Sequence, residues 1–147
     1  MYYTNGNLQT IGIYKNDRLN GDEIKSYYQN QKILNFEGRM VNGLKEGHGR
    51  EFYKNGKVMY EGLYKNDEWN GENVKIHHFD GELEYEGAIC RGMREGYGKA
   101  YYEDGRLEYA GYWLEDKPWG HNVVIWDAVG SIKFEGEANG ENYLSEY

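Results

Sequence analysis

Glycines stand at positions 12, 38, 62, 87, 111 and 136, separated by 26, 24, 25, 24 and 25 residues. Five of them are followed nine residues later by a second glycine: Gly21, Gly47, Gly71, Gly96 and Gly120. A period of this length over nearly the whole chain marks a stack of small, similar units, each burying surface only against its neighbours. Phe36, Tyr60, Tyr85, Tyr109 and Phe134 stand two positions before the leading glycines, with Thr10 departing from the pattern. Tyr14, Met40, Tyr64, Ile89 and Trp113 stand two positions after. Large apolar residues at i−2 and i+2 about a glycine share one parity, which is the alternation of a β-strand with one aromatic face.

Alternate units resemble each other more than neighbours do. Those led by Gly38 and Gly87 carry Gly43 and Gly92 five positions on and Gly49 and Gly98 eleven positions on. Those led by Gly12, Gly62 and Gly111 carry Asp17, Asp67 and Asp116, then Glu23, Asn73 and Asn122. We call these the glycine class and the aspartate class. The aspartate class has one residue more before its next turn, which predicts a β-bulge on every other hairpin. Asn55-Gly56, Asp80-Gly81 and Asp104-Gly105 mark a second set of turns, with a signal favoured in tight hairpins. The predicted fold is all-β, an elongated, twisted, single-layer antiparallel meander of about eleven strands. Its units start near 10, 36, 60, 85 and 109, with a partial unit at 134, and residues 139–147 form a C-terminal cap.

Leu, Ile, Val and Phe number only 27 of 147 residues, and the net charge is −8, a balance that on its own points toward disorder. Sixteen Tyr and four Trp reverse that inference, because aromatic rings bury large areas and suit pleated surfaces. The excess of 25 acidic over 17 basic residues disfavours nucleic acid and anionic membranes. Cys90 is the only cysteine, which excludes an internal disulfide framework. No apolar run approaches a membrane span and the first residues lack signal-peptide features, so a cytoplasmic protein is expected.

Tyr85-Glu86-Gly87, Gly96-Tyr97-Gly98, Tyr102 and Asp104-Gly105 together resemble the consensus of the MORN repeat family, as do Phe36-Glu37-Gly38, Gly47-His48-Gly49 and Asn55-Gly56. The resemblance covers residues 8 to 138, and the 24- to 26-residue spacing looks like that of bacterial MORN-variant repeats, some of them labelled antitoxins. Met40 and Ile89 stand where the consensus has Trp or Tyr. The resemblance implies an extended sheet that joins protein partners or dimerises, with phosphoinositide binding proposed for some members. It also implies that catalysis, where it accompanies such arrays, lies in another domain.

The residues themselves offer little chemistry. His77-His78 beside Asp80 lacks a second ligand cluster for a metal, Cys90 has no base to activate it, and neither Gly-x-Gly pair precedes a helix that could hold phosphate. No enzyme, cofactor or metal is expected. The expected role is that of a non-catalytic protein-interaction or scaffold module. Alternatives are an antitoxin or immunity-like inhibitor of a basic effector, and a phosphoinositide or membrane-surface binder. The expected partner is a protein or a second copy forming a homodimer, with nucleic acid and membrane lipid disfavoured. Candidate contact residues are the aromatics Tyr14, Tyr53, Tyr64, Tyr102 and Trp113, read as rows too large for a thin array to bury. The carboxylates Glu37, Glu61 and Glu86 join them as a ladder on the opposite face.

Overall fold

The computed structural model describes residues 1–29 and 32–140. Among these no helix forms, and eleven strands build one open antiparallel sheet in chain order. They are β1 (Thr10–Lys15), β2 (Arg18–Tyr27), β3 (Leu34–Val41), β4 (Leu44–Phe52), β5 (Val58–Lys65), β6 (Glu68–His77), β7 (Leu83–Cys90), β8 (Met93–Tyr101), β9 (Leu107–Leu114), β10 (Lys117–Trp126) and β11 (Ile132–Asn139). The expected cap falls mainly on residues 141–147, outside those described.

Two kinds of connection alternate along the meander. The short ones are two-residue turns with both residues at positive φ: Asn16-Asp17, Asn42-Gly43, Asn66-Asp67, Arg91-Gly92 and Glu115-Asp116. That is the turn whose twist matches paired strands. The predicted turn pairs Asn55-Gly56, Asp80-Gly81 and Asp104-Gly105 lie instead in longer loops. Tyr53 N donates to Lys57 O and Gly56 N to Tyr53 O, with the same bonds at His78–Glu82 and Tyr102–Arg106. There only the glycine takes positive φ, so the dipeptide closes a bulged loop and the tight turns fall elsewhere.

The second residue of each short turn bonds to the previous short hairpin. Gly43 N donates to Leu19 O, Asp67 N to Lys45 O, Gly92 N to Trp69 O and Asp116 N to Arg94 O. In the aspartate class the side chain adds a return bond, with Asp67 accepting from Lys45 N at 2.6 Å and Asp116 from Arg94 N at 2.8 Å. This accounts for the class difference. A glycine meets the backbone requirement at no steric cost, whereas an aspartate tolerates the left-handed region and gains a cross-unit hydrogen bond.

The bulge expectation needs correcting, because every short hairpin is bulged and the class sets the size. One residue of β3 stands between the pairs Gly38↔Gly49 and Met40↔Lys45, opposite three of β4, and β7–β8 repeats this. In β5–β6, Gly62 alone stands between Glu61↔Lys75 and Leu63↔Asn70, opposite four residues, as Gly12 does in β1–β2. The additional aspartate-class residue is thus absorbed in the bulge.

The core lies on one face. Phe36, Tyr60, Tyr85 and Tyr109 are buried, and the three tyrosine hydroxyls donate to the carbonyls of Leu63, Ala88 and Tyr112, three residues further along the same strand. Each ring therefore lies down along its strand, across the glycine two positions on. A Cβ at Gly62 would come within 2.7 Å of Tyr60 Oη, and one at Gly98, the cross-strand partner of Gly87, would overlap the Tyr85 ring. Rings nest on glycine as expected, but the ring belongs to the glycine's own strand as much as to a neighbour.

Candidate functional site

The aromatics Tyr64 and Trp113 belong to the core rather than to an exposed row, being 3% and 6% exposed. Tyr64 inserts between Phe36 and Tyr60, edge-on, with centroids at 5.5 and 5.1 Å. Trp113 does the same between Tyr85 and Tyr109 at 5.6 and 5.1 Å, and its Nε1 donates to Gly98 O. A single layer can bury them because long cations lie over the rings. Lys45 Nζ is 4.9 Å from the Phe36 centroid, and the Arg94 guanidinium is 4.8 Å from both Tyr85 and Trp113. Lys45 is held by Glu51 at 2.6 Å and Arg94 by Glu84 at 3.3 Å. Burial raises the hydroxyl pKa of Tyr60, Tyr64 and Tyr109, and pushes that of Tyr85 up to about 12, with Arg94 opposing the shift.

Tyr53 and Tyr102 have a different position. Each opens a long loop, and its hydroxyl reaches a main-chain carbonyl in the next unit: Tyr53 to His77 O at 2.6 Å and Tyr102 to Trp126 O at 2.7 Å. Tyr3 to Tyr27 O and Tyr28 to Phe52 O continue the series, and His78 Nε2 to Tyr101 O at 3.0 Å takes the remaining rung. These side chains staple successive units along the loop edge. The recurrence of a ring opening every long loop but the last, which opens on Asp127, was the available signal. Tyr14, on the first strand, is 38% exposed and its hydroxyl lies 3.5 Å from Thr10 Oγ1.

The carboxylates do line the opposite face, but with cations between them. Across seven strands the register runs Lys25↔Glu37, Glu37↔Arg50, Arg50↔Glu61, Glu61↔Lys75, Lys75↔Glu86 and Glu86↔Lys99. Every glutamate of this row has a basic residue directly opposite on both sides, and the Glu37–Arg50 pair is a formed ion pair. Opposed opposite charges of this kind contribute roughly 0.2–1 kcal/mol each. The row lines an open trough with Ile11, Leu63 and Tyr97 at its margins. Among the described residues no cluster of three or more metal-ligating side chains gathers; His77 instead faces Gly81 O and His78 takes the rung above.

Beyond β8 the same face changes character. Lys99 faces Ala110, and Tyr97, Tyr112 and Trp119 are directly opposed across β8, β9 and β10. They are 52%, 63% and 42% exposed. This row was missed in the sequence, because its residues sit off the parity that defines the repeat.

Comparison with known proteins gives one family. The MORN repeat variant matches residues 1–16 and 45–66. The second segment runs from the start of β4 through the long loop and β5 to Asn66, and the first ends at the equivalent Asn16. The matched unit is therefore centred on the stapled long loop, with Tyr3 and Tyr53 at corresponding places. No curated protein matches the chain.

Proposed function

We propose that this array of MORN-variant repeats is a non-catalytic scaffold that binds other proteins. The observation that carries the reading is the division of labour between the two faces. One is filled by the aromatic core, while the other is left open as a trough crossing β1 to β8. An open trough lined by alternating charges suits a protein surface better than a small substrate, which favours enclosed, largely apolar sites. Of the contact residues expected from sequence, Glu37, Glu61 and Glu86 line this face, while Tyr64 and Trp113 support it from behind. Because each glutamate is matched by Lys or Arg, a carboxylate strip for a basic inhibitor target has less support than a general scaffold. Pairing with a second copy through β1 or β11, which among the described residues each have one strand neighbour, belongs to the same reading.

The test is affinity purification with the immobilised full chain from its native cell, with light scattering of the purified chain alongside. Recovery of a stoichiometric protein, or a dimer mass, is expected. A monomer that retains no stoichiometric protein would refute the scaffold.

A further inference from the structure

The two-unit super-period gives the charged face an internal control. Positions 49 residues apart occupy equivalent places, as Gly49 and Gly98, Gly62 and Gly111, or Ile76 and Ile125 do. Read that way, His48 becomes Tyr97, Glu61 becomes Ala110, Leu63 becomes Tyr112, Lys65 becomes Leu114, Asn70 becomes Trp119 and Lys75 becomes Val124. In the first block these positions are mostly polar or charged; in the second all six are apolar or aromatic. The β8–β9 pairing repeats that of β4–β5, and the β9–β10 pairing repeats that of β5–β6 at every pair but Glu61↔Lys75, so folding does not require apolar side chains at the other positions. A contiguous apolar patch that the fold does not need, and that no described residue covers, is characteristic of a contact surface.

Resting on the scaffold reading, we propose that this outer face of β8–β10 docks an extended, arginine-bearing segment of a partner protein. Three observations select that chemistry. The chain carries a net charge of −8. Exposed carboxylates rim the patch, with Glu95 beside Tyr97 in the trough and Glu135 and Glu137 on β11, where Glu135 is opposite Val124 rather than a cation. The third is a precedent within the molecule for a cation over rings: on the other face Arg94 lies 4.8 Å from both a Tyr and a Trp ring with Glu84 at its nitrogen. Lys45, its counterpart 49 residues earlier, lies 4.9 and 5.5 Å from two rings with Glu51 at its nitrogen, so that the guanidinium makes the closer approach to both rings. A planar guanidinium stacks on aromatic faces and engages carboxylates together, which an ammonium does less well. The ladder cation Lys99 faces Glu86, while Lys117, opposite Leu114, and His121, 3.5 Å from Glu137, are basic groups on the same rim.

The test uses the full chain and a fluorescein-labelled peptide of alternating arginine and serine, with the lysine–serine counterpart as comparison. The arginine peptide should bind about tenfold more tightly, consistent with one or two ring contacts. Substituting the patch with its own first-block residues, Tyr97→His with Leu114→Lys and Trp119→Asn, should weaken the arginine peptide by about tenfold or more. Tyr112→Leu alone should weaken it by a smaller factor, and serves if the triple variant does not fold. Equal affinity for the lysine peptide, or affinity unchanged in the variants, overturns the proposal. So does self-association that the variants abolish, since the occupant is then a second copy. A cellular partner captured equally by wild-type chain and variant leaves the scaffold standing and removes this surface. Peptide binding as expected with no cellular partner does the reverse.

Discussion

At the residue scale the decisive contact is a tyrosine ring lying on glycine, and three glycines separate its physical components. Gly98 has ordinary backbone but would overlap the Tyr85 ring if given a Cβ, whereas Gly105 has φ +85 and open space around it. Gly87 combines both conditions, with φ +150 and the Gly98 Cα and Tyr97 carbonyl in the way. Gly105→Ala should therefore cost about 1 kcal/mol, from backbone strain alone. Gly98→Ala should cost about 2–3 kcal/mol as a core overpacking, and Gly87→Ala more than either, because backbone cannot move aside as a ring can. Urea unfolding gives the order; Gly105 ranking worst would mean that turn conformation, not nesting, limits stability. The repeating glycines were legible in the sequence, and so was their packing role. The direction in which each ring lies was not, because it depends on the hydroxyl finding a carbonyl three residues on.

At the element scale the hairpins are joined by two rows of cross-unit bonds, one along each edge of the sheet. The loop-edge row makes a prediction that separates two tyrosines expected to share a role. Tyr53→Phe removes a 2.6 Å bond to His77 O and should lower stability by about 1 kcal/mol. Tyr14→Phe, whose hydroxyl has only a 3.5 Å contact with Thr10 Oγ1 and a 3.6 Å one with Met1 Sδ, should change it little. Equal effects in equilibrium unfolding would show that the rungs do not hold units together. The strand count and class alternation were readable from spacing. The placement of most two-residue turns was not, since Asn-Gly and Asp-Gly signal tight turns locally, while the register put only Asn42-Gly43 of these in one and assigned the others to Asn-Asp, Arg-Gly and Glu-Asp.

At the scale of the whole molecule, a core built of tyrosines has a pH signature. Tyr60, Tyr64, Tyr85 and Tyr109 have pKa values raised by burial, that of Tyr85 to about 12 against an ordinary 10.0. Below pH 10 both folded and unfolded chains keep these protons, so stability is unaffected. As pH rises from 10 toward 12 the unfolded chain releases protons that the folded chain retains, and stability falls by about 1.4 kcal/mol per pH unit for each such tyrosine. Urea midpoints should be flat from neutrality to about pH 10 and drop steeply above it. Tyrosinate absorbance from the buried set should appear only with unfolding. A gradual phenolate titration of the intact fold through pH 10 would contradict a buried ring stack.

The period of glycines and aromatics determined the strand number and the identity of the core face, because a residue's parity on a strand is a local property of the chain. What only the tertiary structure decided is which side chains lie opposite one another. Register pairs each ladder glutamate with Lys or Arg, lays Lys45 and Arg94 over rings that would otherwise be exposed, and brings Tyr97, Tyr112 and Trp119, from three separate strands, into one exposed row. Those juxtapositions depend on the size of each bulge, which follows the class of its unit, and on how successive hairpins pair, which no single unit displays.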